Sequence, residues 1–326
     1  MNFLLDNTAL EEDSVAREVR EGLSAKPKRL PSKYFYDQQG SALFELICEQ
    51  PEYYLTRTEI DIMQTHGADM GRTIGPAVRL VEFGSGAGIK TRLLLGHLPS
   101  PCAYVPVDIS AAPLMASVQA LAVAFPSLQV MPVVGDFTQA LNLPRPRASM
   151  SRTVVYFPGS TLGNFEHDEA LAILGHMRAE AGRRGGALIG IDLVKGVPEL
   201  EAAYNDQAGV TAAFTLNMLT HLNHLVGTDF DVAAFAHRAV YCEARSRIET
   251  HVVSLRDQTV RLGRSRFEFQ QGEALCVEYS HKYALTEFGR FAAQAGFHMS
   301  RCWTDAARRF AVVYLDAVPL AHAPSP

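Results

Sequence analysis

The chain has 326 residues, 48% apolar and 20% charged, with 30 basic against 35 acidic side chains and a net charge of −5. These values exclude disorder as the main state, supply material for two ordinary domains or one large one, and leave no basic excess to grip a phosphate backbone. No apolar run approaches the ~18 residues of a membrane span, so neither nucleic acid nor membrane is expected as a partner.

The opening residues, Met1 to Asp6, carry an acid where a secretory leader is basic and lack its apolar stretch, so a cytoplasmic protein is expected. Residues 1–70 read as mostly helical, with interleaved charges from Glu11 to Arg20. Lys26-Pro27-Lys28-Arg29-Leu30-Pro31 interrupts that pattern and reads as a linker. Two aromatic-rich stretches follow, Tyr34 to Asp37 and Pro51 to Arg57, which fit either a loop packed on a core or a lid over a pocket.

From residue 78 short β-branched runs alternate with helical stretches. The runs are Val78 to Phe83, Tyr104 to Ile109, Val130 to Val134, Val154 to Phe157 and Ala187 to Val194. Lys90 to His97, Ala111 to Ala124 and Asp168 to Arg183 are the helices between them. This alternation predicts a doubly wound, mostly parallel sheet. Residues 197–235 return to helical spacing. Val240 to Cys242, Ile248 to Leu255, Val260 to Leu262 and Phe267 to Phe269 then follow so closely that hairpins are expected, as an insertion into the core. A helix from Leu285 to Ala295 and an antiparallel hairpin, Met299 to Trp303 and Phe310 to Leu315, would finish the sheet.

The main local signal is Glu82-Phe83-Gly84-Ser85-Gly86-Ala87-Gly88, where the first core strand must turn into a helix. Glycines there permit positive φ and let a ligand approach the backbone, at the strand end where open α/β sheets bind ligands. The spacing is G-x-G-x-G. It matches neither the G-x-G-x-x-G of dinucleotide folds nor a phosphate loop, which disfavours a nicotinamide-dependent oxidoreductase. E-x-G-x-G-x-G is instead the pattern with which class I methyltransferases bind S-adenosylmethionine (SAM). Asp108 and Asp136 end the next two strands; each could accept from a ribose or an adenine, and each could equally cap the following helix. Phe137 could cover the adenine ring. Asp192 and Lys195 read as a structural ion pair.

Glu278 and Ser280 alternate onto one face of a strand, where they could hold a group that both donates and accepts, such as an imidazole, or simply face solvent. His221 and His224 have a spacing metals can use, but no third ligand accompanies them, and they read as a surface pair. Trp303 and Met299 read as core. Five scattered cysteines without a C-x-x-C pair predict neither zinc nor disulfides. No metal is expected.

Taken together, the chain resembles the L-histidine Nα-methyltransferases of ergothioneine biosynthesis. The resemblance rests on Leu30 to Asp37, Pro51 to Tyr54, Glu82 to Gly86, Gly135 to Phe137, Gly159 to Asn164, Asp192 to Lys195 and Glu278 to Ser280, in order along nearly the whole chain. It implies a Rossmann-like class I core with a mostly parallel seven-stranded sheet, 62–196 plus 282–326. A second α+β domain for the substrate would comprise 1–61 plus 197–281. By that similarity Tyr36, Gly84, Lys90, Asp108, Asp136 and Phe137 would bind SAM. Tyr53, Asn164 and Tyr204 would hold the amine and carboxylate end and form the catalytic group. Glu278 and Ser280 would hold the imidazole, with Phe44, Gly159 and Thr211 lining the pocket. The implied reaction is trimethylation of L-histidine, and a monomer is expected rather than an obligate oligomer. Thr250 stands where the family often has methionine, which puts the shape of the side-chain pocket in question. The alternatives are the same chemistry on another amino acid or histidine derivative, and a SAM sensor without turnover.

Overall fold

The computed structural model describes residues 3–86 and 88–318. The chain divides into two compact units. One, here the core unit, is Leu55–Val194 with His281–Pro326; the second unit is Met1–Tyr54 with Lys195–Ser280.

The second unit begins with α1 (Phe3–Ser24), whose Ala16, Val19 and Leu23 fall on one buried face. The Lys26–Pro31 stretch is more than a linker. Leu30 N–H donates to Cys276 O at 2.9 Å and Cys276 N–H to Lys28 O at 3.1 Å, so the extended residues after the helix pair their main chain with a strand. After a 3-10 turn at Ser32–Phe35, Asp37 caps α2 (Gln38–Glu49) by accepting the Gly40 N–H at 2.6 Å.

The core unit opens with α3 (Leu55–Ile74), buried at Leu55, Glu59, Ile62, Met63, Met70 and Ile74. The expected domain boundary at 61/62 falls inside this helix, which belongs whole to the core unit. Then come β1 (Val78–Phe83), α4 (Ile89–His97), β2 (Ala103–Asp108), α5 (Ala111–Ala124), β3 (Gln129–Val130), β4 (Val133–Val134), β5 (Arg152–Phe157), α6 (His167–Ala181) and β6 (Gly186–Asp192). Glu166 and Glu169 start α6 with a capping box. β1 is parallel to both β2 and β5, and β5 to β6, as helical crossovers require. The run expected at Val130 to Val134 is interrupted, because Pro132 has no N–H for the ladder; β3 and β4 pair separately with β2.

The chain returns to the second unit with α7 (Val197–Ala202), α8 (Val210–Val226), β7 (Phe235–Cys242), β8 (Arg247–Ser254), β9 (Gln258–Leu262), β10 (Ser265–Phe269) and β11 (Ala274–His281). Simple sequential hairpins do not describe this region. β9 and β10 form a sheet of their own, and β8 sits between β7 and β11 in a three-stranded sheet. The core unit then finishes with α9 (Leu285–Gln294), β12 (Phe297–Thr304) and β13 (Phe310–Ala317). β13 lies antiparallel on β6 and β12 antiparallel on β13. The order β12-β13-β6-β5-β1-β2-β3, with β4 also on β2, is an eight-stranded sheet in which the single expected third strand counts as two. It is a mostly parallel α/β core of the Rossmann-like kind. β1 lies between β2 and β5, so the chain reverses direction across the sheet beside it, the place where such folds take ligands.

Candidate active site

In the core unit the glycine loop leaves the end of β1. Gly84 and Gly86 have φ of 72° and 46°, and Gly88, φ 71°, precedes the first turn of α4. A Cβ on Gly86 would meet nothing within 4 Å, and one on Gly84 only Phe137, at 3.8 Å. The glycines therefore serve backbone conformation and leave open space in front of the loop. Ala87 lies outside the described residues. Between them, the Ser85 hydroxyl is buried without a hydrogen-bond partner among the described residues.

Glu82, just before the loop, is committed internally. Its carboxylate accepts from Thr91 Oγ1 at 2.7 and 2.9 Å and from the Tyr104 hydroxyl, tying β1 to α4 and β2. Burial pushes its pKa up to about 8 against the opposing pull of these donors. Asp108 and Asp136 each brace a local turn rather than cap a helix: Asp108 Oδ1 accepts Ser110 N–H at 2.9 Å, Ser110 itself being the N-cap of α5, and Asp136 Oδ1 accepts Thr138 N–H at 2.9 Å and its hydroxyl at 2.6 Å in a turn that no helix follows. In each, Oδ2 has no hydrogen-bond partner among the described residues, so the turn leaves one oxygen for a ligand. Phe137 stacks on Phe83 with centroids 5.5 Å apart and meets Phe157 edge-on at 5.3 Å. Ile109 and Val134, exposed beside Asp108 at the ends of paired strands, add apolar surface that the motif reading did not single out.

Lys90 is not a lone cation. It donates to Glu59 Oε2 at 2.6 Å, and the same buried carboxylate accepts the Gly159 N–H at 2.9 Å. Glu59 has no motif around it, and its isolated position in an amphipathic helix carried no signal. Ser160, φ 58°, accepts the Asp192 N–H at 2.9 Å, and the Thr161–Asn164 turn follows, bringing Asn164 to the end of β5. Asp192 pairs with Lys282 at 2.8 Å, both fully buried, and Lys195 donates to the Tyr54 hydroxyl at 2.6 Å. Asp192 ends the buried strand β6, and Lys282 is the cation brought to it when the chain re-enters the core unit.

In the second unit, aromatic side chains gather. Phe44 lies 6.0 Å from Tyr36, 6.2 Å from Tyr53 and 6.0 Å from Phe214, and Tyr53 lies 6.3 Å from Tyr204, centroid to centroid. Phe214 was not anticipated; it shares the buried face of α8 with Thr211, Thr215 and Met218. Tyr36, expected among the SAM residues, belongs to this cluster. The Tyr204 hydroxyl is bonded to Ser280 Oγ at 2.7 Å. Ser280 is therefore buried rather than solvent-facing, with Glu278 half-buried two residues before it. Burial raises the Tyr53 pKa well above its usual value, with Tyr204, Cys48, Tyr36 and Glu278 adding to the effect. Tyr53 is therefore a phenol, not a phenolate, at neutral pH.

His221 Nδ1 lies 2.8 Å from Tyr34 O and His224 is exposed. Among the described residues no group of three or more His, Cys, Asp or Glu could hold a metal, and no helix is long and apolar enough to cross a membrane.

The family described as histidine-specific, SAM-dependent methyltransferases matches residues 15–317. The chain belongs to this family. A histidine N-alpha-methyltransferase of Mycolicibacterium smegmatis is 37% identical over 95% of this chain and 96% of its own length. One from Mycobacterium tuberculosis is 37% identical over 91% and 93%. Ergothioneine biosynthesis protein 1 of Neurospora crassa is 29% identical over 85% of this chain and 32% of its own. The protein is thus a SAM-dependent methyltransferase. The open glycine loop, the unpartnered Ser85 hydroxyl and the spare oxygens of Asp108 and Asp136 fit a ligand with hydroxyls, an adenine and a positive sulfonium.

Proposed function

We propose that this methyltransferase acts on the α-amine of L-histidine, three times in succession, to give trimethylhistidine (hercynine), the first step of ergothioneine biosynthesis. The observation that carries this reading is the Tyr204–Ser280 hydrogen bond beside Glu278. An imidazole presents one N–H and one bare nitrogen. A serine hydroxyl can donate to the bare nitrogen while it accepts from Tyr204, and a carboxylate at Glu278 can take the N–H. A tryptophan-like side chain would leave that serine donor unused.

Bound SAM supplies an electrophilic methyl group. Asp108 and Asp136 hold its ribose and adenine with their second oxygens, Gly84 and Gly86 give it room, and Phe137 presents an apolar edge. Glu59, paired with Lys90, fixes the Gly159 turn that leads to Asn164. Tyr53 and Tyr204 orient the amine and carboxylate end, so that the nitrogen lone pair is aimed rather than free to tumble. Tyr53 remains protonated and so positions the amine without taking its proton. Phe44, Tyr36 and Phe214 offer aromatic faces, which suit an amine whose positive charge becomes permanent as methyls accumulate. Thr211, on the buried face of α8 with Phe214, lines the same cluster. Incubation of purified protein with SAM and L-histidine should give products heavier by one, two and three methyl groups. Methylation of another amino acid in place of histidine would overturn the substrate and direct attention to the buried Thr250. SAM binding without any turnover would mark a sensor.

A further inference from the structure

The segment Glu201–Asp206, which carries Tyr204, runs along β7, the edge strand of the three-stranded sheet. Three alternate positions of β7 grip it. His237 Nε2 lies 2.9 Å from the Tyr204 carbonyl oxygen. The Ala239 carbonyl accepts from Asn205 Nδ2 at 3.0 Å, and its N–H donates to Asn205 Oδ1 at 3.4 Å. The Tyr241 N–H donates to Glu201 Oε1 at 2.9 Å. Side chains thus take the place of a missing neighbour strand. Asn205 is exposed and competes with water for its bonds, whereas His237 is half-buried.

The His237 bonds fix its protons. A carbonyl oxygen only accepts, so Nε2 must carry a hydrogen to hold Tyr204. Burial lowers the pKa of the ring, so it is neutral at neutral pH and Nδ1 is bare. Nδ1 lies 3.0 Å from Thr215 Oγ1, which can donate to it instead of to Thr211 O at 2.9 Å. His237 therefore joins the Tyr204 main chain to α8, the helix that also carries Thr211 and Phe214.

We propose that His237 is a positioning residue that sets the Tyr204 hydroxyl against Ser280. The proposal rests on the reading that this hydroxyl pair serves the acceptor amino acid.

The test replaces His237 by Phe, which keeps a ring without a donor, and by Gln, which restores one. His237→Phe should raise KM for histidine about tenfold, the size of one lost hydrogen bond to an aligned group, with SAM affinity within twofold of the parent. His237→Gln should recover to within about threefold. In a Tyr204→Phe background His237→Phe should add less than about twofold, because the hydroxyl it places is gone. A fluorine label on the Tyr204 ring should change resonance in His237→Phe and much less in His237→Gln. An unchanged KM, full multiplication with Tyr204→Phe, or a parallel loss of SAM binding would overturn the proposal. Should the parent enzyme not methylate histidine, the functional reading fails and the fluorine resonance alone decides the role of His237: an unmoved signal rejects it. If His237→Phe does not fold, Thr215→Val, which removes the partner of Nδ1, is read by the same measurements.

Discussion

Lys90 Nζ lies 2.6 Å from Glu59 Oε2, and the two side chains are not equally placed: Glu59 is fully buried, Lys90 reaches solvent. Removing one partner therefore costs more than removing the other. Lys90→Met strands a carboxylate with only the Gly159 N–H and should lower stability by about 3–5 kcal/mol. Glu59→Gln leaves an ammonium that can turn to water and keeps an acceptor for Gly159, so about 1–2 kcal/mol is expected. Urea denaturation of both variants would check the order.

Glu82 makes stability depend on pH. Its folded pKa of about 8 exceeds the unfolded value of 4.5, so the native state holds a proton that the unfolded chain has released. Between those two values the native state binds more protons, and stability falls as pH rises, with the full penalty present above about 8. Glu82→Gln cannot ionise and should flatten this slope. Melting temperatures across pH 5 to 9, compared with the parent, would measure it; parallel curves would contradict the assignment.

Gly84→Ala separates strain from ligand binding. At φ 72° an alanine costs about 1–2 kcal/mol of stability, while its Cβ meets nothing closer than Phe137. The methyl does occupy the opening of the loop, so SAM affinity should fall about tenfold or more. Gly75→Ala, at φ 83° with nothing within 4 Å, is the control: similar strain, unchanged SAM affinity by calorimetry.

Glu278→Ala removes the acceptor for the imidazole N–H. Loss of a charge-assisted hydrogen bond, about 1.5–3 kcal/mol, should raise KM for histidine about 10- to 150-fold with SAM affinity intact. Equal loss of both would show that Glu278 supports the fold instead.

Much of this was legible in order along the chain. Alternating strands and helices fix a parallel sheet because crossovers allow little else, and G-x-G-x-G at a strand end marks a backbone that must turn at positive φ. Those are local properties, decided by neighbours in sequence. Partnerships were not legible. Asp192 pairs with Lys282, far along the chain, because a buried carboxylate at the end of β6 takes a cation that shares its desolvated site, whatever the sequence distance. Residues 28–30 read as a linker until β11 supplied an edge for their main chain, and β8 found β11 rather than β9. Glu59, Phe214 and His237 carried no motif, and Tyr36 joined the aromatic cluster. Pattern and spacing by themselves determined the family of fold and the cofactor loop. Only tertiary structure decided which polar groups are buried together, because the cost of burying a charge or an unpaired donor is set by what folds beside it.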